Sequence, residues 1–77
     1  MEHMNQPRTG IEKLNVLLPH WVNHNNDHIR DQENWLDTVK KKGLTEVADE
    51  LTTAIEHLKK ANNHIAKAHL RLKDEMP

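Results

Sequence analysis

The stretch Lys40-Lys41-Lys42-Gly43-Leu44-Thr45-Glu46-Val47-Ala48-Asp49-Glu50 decides the fold. Three lysines suit the last turn of a helix, where the carbonyl end of the macrodipole attracts cations. Gly43 supplies the left-handed residue that ends a helix without a Cβ penalty. Leu44 and Thr45 complete a short loop over 43–45. Thr45 is read as the N-cap of a second helix, with Glu46, Asp49 and Glu50 favouring its first turn. Two helices joined by so short a loop must be antiparallel neighbours, a helical hairpin.

Working outward toward the N-terminus, the first helix is read over about 10–42. Thr9-Gly10-Ile11-Glu12 has the form of a capping box, in which Thr9 caps free amides and Glu12 reaches back. Pro19 removes one helical hydrogen bond, but Leu18 would be a poor N-cap for a new helix starting there. The apolar spacing Leu14, Leu17, Leu18, Trp21 runs through the proline, so one helix kinked near Pro19 is expected. Residues 1–8 read as a disordered lead and 9–77 as the hairpin. Toward the C-terminus no breaker interrupts a second helix over about 46–73. Its rows are seven apart: Leu51, Leu58, Ile65, Leu72, and beside them Val47, Ala54, Ala61, Ala68. They read as a heptad seam with one large and one small row.

Composition narrows the function. The chain has 77 residues, seven of them His, and no Cys, Tyr or Phe. Disulfides and thiolate metal sites are excluded. Eleven Lys and Arg balance twelve Asp and Glu, which leaves no electrostatic footprint for nucleic acid or a membrane surface. No apolar run approaches a membrane span, and the N-terminal residues lack the apolar core of a signal peptide. The reading is a soluble, cytoplasmic protein. A core this thin calls for help from a metal or from oligomerisation. We therefore expect an all-α hairpin that dimerises into a four-helix bundle.

The histidines carry the chemistry. His20, His24 and His28 are four residues apart and lie near one face of the first helix. Imidazole is the commonest metal ligand in proteins, and its neutral form binds. His20 and His28 are about 12 Å apart along the axis, while zinc–nitrogen bonds are ~2.0–2.1 Å, so His24 must pair with one neighbour. A partner element then supplies the rest: His64 of the second helix, or a symmetry-related His24/His28 pair in a dimer. Imidazole ligands suit Ni, Co and Zn alike. Folding the hairpin about residue 43 sets His24 opposite Asn62, His28 opposite Leu58 and Trp21 opposite Ile65. His24, His28, Asn25 and Asn62 could equally form a buried, hydrogen-bonded polar layer that fixes register, or a pH switch without metal. His57 and His64 are read as solvated, His69 as a core or interface residue, His3 as part of the tail. Trp21 and Trp35 are read as core anchors. Catalysis finds no support. The His24/His28 pair has zincin spacing, but Asn25 stands where that chemistry needs its glutamate base.

The segment His20-Trp21-Val22-Asn23-His24-Asn25-Asn26-Asp27-His28 resembles the HWxxHNxxH stretch of small prokaryotic helical proteins associated with nickel or cobalt handling and with carbon monoxide dehydrogenase maturation. Gly43 to Leu51 and the Ala61-Asn62 pair look similar too, so the likeness covers residues 11 to about 72. It implies metal ligation by His20, His24 and His28 and a metalloenzyme-maturation or metal-transport partner. It implies nothing for His57 or His64. The expectation is a non-catalytic binder of divalent Ni, Co or Zn, acting as chaperone, store or sensor. The rival is a structural or protein-interaction module with a buried His/Asn layer and no metal.

Overall fold

The computed structural model describes residues 10–76, so Thr9 and the rest of the N-terminal lead lie outside the described residues. Two helices make up the fold, α1 over Gly10–Lys41 and α2 over Thr45–Glu75, packed against each other as a hairpin. Pro19 sits inside α1, which continues through it. Both helices end within two residues of the boundaries expected from the caps.

The turn between them follows from Gly43. The Leu44 amide donates to the Val39 carbonyl (3.2 Å) and the Gly43 amide to the Lys40 carbonyl (3.0 Å), while Gly43 adopts φ 74°. This pair of bonds is the Schellman closure, and it satisfies carbonyls that a helix end would otherwise leave open. Thr45 does not act as the N-cap. The helix already includes it, Leu44 occupies the cap position without a side-chain bond, and the Thr45 hydroxyl lies 3.5 Å from the Gly43 carbonyl. The tight closure uses Leu44 as its last residue, so α2 begins one step earlier than a threonine cap would allow.

The seam is a single stripe on each helix. Leu18 and Ile29 of α1 and Ala48 and Ile55 of α2 are the buried apolar side chains, with Asn62 the buried polar one. Leu14, Val22, Asn25, Gln32, Leu36 and Val39 complete the α1 stripe as half-buried residues. Its centre lies about 60° from Trp21 at 100° per residue. The tryptophans are therefore not core anchors: Trp21 is 41% exposed and Trp35 61%. One partner helix covers only a narrow stripe, and α1 turns its branched aliphatics Leu18, Ile29 and Leu36 into it.

On α2 the row Leu51, Leu58, Ile65, Leu72 is half-buried as expected, but its companion is Ala48, Ile55, Asn62, His69. Val47, Ala54, Ala61 and Ala68 are exposed, so the small row belongs to the flank. Burying Ile55 removes more apolar surface from water than burying Ala54 would. Asn62 is carried inward with it because its amide finds partners there. No helix among the described residues is long and apolar enough to cross a membrane.

Candidate metal-binding and register site

Halfway along the hairpin, three cross-helix bonds converge on Asn62, which is 6% exposed. Its Nδ2 donates to the Asn26 Oδ1 at 2.9 Å and to the Val22 carbonyl at 3.2 Å. Its Oδ1 accepts from the Asn25 Nδ2 at 3.2 Å. Both amide hydrogens and one oxygen lone pair are thus engaged, which is what a buried amide requires. Asn62 meets residues 22, 25 and 26, bracketing the level expected from folding about residue 43. A further cross-helix tie, Glu33 to Lys59 at 3.0 Å, is exposed and adds little stability. The register rests on the asparagine clamp.

The polar layer is made of asparagines alone. His24 and His28, expected as members of any such layer, are exposed. Asn26 takes the place given to them. Its signal in the sequence was its adjacency to Asn25, which lets one short segment offer two amides to one partner.

Outside the clamp, the two histidines turn toward each other. The His24 and His28 Nε2 atoms are 3.0 Å apart, with ring centroids 4.5 Å apart and planes at 86°. Without metal, one ring N–H donates to the other ring's lone pair. With Zn–N bonds of ~2.0–2.1 Å, two nitrogens on one ion are separated by roughly 2.9 Å for a right angle and roughly 3.4 Å for a tetrahedral one. The observed separation falls within this range, so the spacing of the two nitrogens suits one ion once each ring presents an Nε2 lone pair to it. Asn25 and Asn26 lie between the two histidines and are tied to α2, which holds this turn of α1 in place. The pair is therefore supported by a rigid element.

The other sequence-derived candidates stand apart. His20 stacks on His24 with ring centroids 6.4 Å apart and planes at 16°, side by side. His64 is exposed on α2, as is His57, while His69 is half-buried. No group of three or more His, Cys, Asp or Glu side chains is placed to hold a metal among the described residues. The described residues of one chain thus offer two converging imidazoles.

Residues 14–72 match the family described as a domain of unknown function, DUF8180. The chain belongs to that family. The DUF8180 match takes in α1 from Leu14, the turn, the Asn62 clamp and the histidine pair, ending at Leu72 of α2. No curated protein and no solved structure matches the chain.

The two flanks of the hairpin differ in chemistry. In an antiparallel pair, residues displaced in the same rotational sense from the two seams share a flank. Within roughly 40–100° of the seams, one side carries His28, Leu17, Trp21, Trp35, Val47, Ala54 and Ala61 and no charged residue, and His24 lies about 120° out on that side, at the same angle as Lys42 and Glu50 and beside Asp31. The same band on the opposite side holds Glu33, Asp37, Lys40 and Lys59.

Proposed function

We propose that this DUF8180 chain is a non-catalytic binder of a divalent transition metal, Ni, Co or Zn, working in the cytoplasm as chaperone, store or sensor. The observation that carries this reading is the 3.0 Å approach of the His24 and His28 Nε2 atoms on an exposed helix face. The i, i+4 spacing produces that approach, and borderline metals favour imidazole nitrogen. The likeness of residues 20–28 to the HWxxHNxxH stretch of nickel- and cobalt-handling proteins points the same way. The thin core and the uncharged flank support a homodimer, with two hairpins forming a four-helix bundle. A metalloenzyme-maturation or transport protein is the fitting recipient of the ion.

Calorimetric titration of untagged protein with Ni²⁺ and Zn²⁺ tests the reading. Binding is expected for the parent chain, and His24→Ala and His28→Ala should each abolish it. His57→Ala should bind like the parent. Parallel titrations of His20→Ala and His64→Ala decide whether either side chain joins the site. Unchanged binding in His24→Ala would place the metal elsewhere. The rival reading, a structural or interaction module without metal, draws on the asparagine clamp, which is complete without an ion. A parent chain that binds neither metal establishes that reading.

A further inference from the structure

We infer that the metal site is shared between two copies of this chain, each giving its His24/His28 pair to one ion across the uncharged flank. The inference rests on the metal reading above and adds to it the identity of the missing ligands. The first ground is chemical. A structural zinc site takes four protein ligands, and the described residues of one chain gather only two. The open half has to be filled by water or by a second polypeptide.

The second ground is the surface around the pair. Leu17 is 40% exposed, Val47 48% and Trp35 61%, on the same side of the hairpin as His24 and His28. The flank bears exposed alanines at 54 and 61, whose side chains are single methyl groups. Large side chains on one helix beside small ones on the other make a self-complementary surface, as a two-fold interface requires. The opposite flank also exposes Val16 and Leu70, but Glu33, Asp37, Lys40 and Lys59 break it up. Burying those charges would cost desolvation that the band carrying Leu17, Trp21, Trp35 and Ala54 does not incur.

The third ground is position. The midpoint of α1 falls between Asn25 and Asn26, inside the His24–His28 turn. A two-fold axis crossing the hairpin at that level sets the pair of one copy opposite the pair of the other. The pair is centred on residue 26, so the same operation brings Leu17 of each copy to the level of Trp35 of the other. The result is a four-imidazole centre flanked on both sides by Leu17 of one copy level with Trp35 of the other. Other occupants fit less well, because an unrelated partner would have to match both the apolar ends and the histidine centre.

Analytical ultracentrifugation and Zn²⁺ titration of the full chain test the inference. One Zn²⁺ per two chains is expected, with the ion favouring the dimer. Trp35→Glu and, on α2, Ala54→Glu leave every histidine in place and should each weaken both dimerisation and zinc affinity by about tenfold or more. Leu70→Glu, on the opposite flank, should leave both unchanged. Circular dichroism identifies any variant that has lost its helices, and the second flank variant then decides. Zinc bound one per monomeric chain overturns the shared site while keeping the metal reading. Parent-like zinc binding in folded Trp35→Glu and Ala54→Glu does the same. A parent chain that takes up no metal overturns both.

Discussion

Asn62 is a residue whose burial would be destabilising without its three partners, and each partner lies within one turn of the histidine pair. Replacing it with leucine supplies apolar volume but strands the half-buried Asn25 amide against it. An unsatisfied buried polar group costs about 1–3 kcal/mol, so Asn62→Leu should lower stability by that amount in urea unfolding. Asn25→Leu combined with Asn62→Leu removes both members of one bond and should recover most of the loss, because two apolar groups then meet. A double variant no more stable than the single would show that Asn26 and the Val22 carbonyl dominate the clamp. The level of this layer was legible from residue numbers alone, since folding about Gly43 sets residues 24 and 62 opposite. Its membership was legible in part: Asn25 and Asn62 were expected and bond each other, while Asn26 stands where His24 and His28 were expected. A rotation of α1 by about 60° from the expected face carries His24 and His28 away from the seam and brings Asn26 toward it.

At the scale of the elements, the turn is where sequence and structure agree most closely. Gly43 holds φ 74°, and a Cβ built there meets nothing within 4 Å. Any penalty for a side chain is therefore conformational, about 1–2 kcal/mol for an L-residue held in the left-handed region. Gly43→Ala should lower the melting temperature accordingly. Gly10→Ala, also in open space but at the start of α1, should be neutral or slightly stabilising by thermal unfolding. Equal effects of the two substitutions would remove the backbone account of the turn. The turn was legible because a glycine and a lysine run are local signals, whereas the expected Thr45 cap is not used. Seam choice was harder to read. The row Ala48, Ile55, Asn62, His69 looks less apolar than Val47, Ala54, Ala61, Ala68, yet it is the one that faces α1. Only the partner helix, with amides waiting at the level of residue 62, makes the polar row acceptable inside. The histidine pair was legible for the opposite reason, since i, i+4 spacing brings side chains together whatever the helix packs against.

At the scale of the whole molecule, the described residues form a single layer of two helices. Its thinnest Cα extent is 12 Å and its radius of gyration 17.5 Å, against about 11.5 Å for a compact domain of this length. Such a shape exposes apolar side chains that a second layer would cover, and its stability should then depend on chain concentration. If two chains unfold together, mass action raises the melting temperature as protein is added. If the hairpin is stable alone, the transition stays fixed. Metal adds a second linkage on the same molecule. Zn²⁺ or Ni²⁺ bound to folded protein and not to the unfolded chain raises the melting temperature, and a strong chelator removes the gain. Protons compete with the ion for the imidazole lone pairs, so the gain belongs to higher pH and is lost as pH falls. Melts at about pH 8, with and without chelator, should differ once metal is added, and melts at about pH 5 should coincide. A chelator effect that persists undiminished in acid would assign the ion to carboxylates, which stay ionised there, and would remove His24 and His28 from the site.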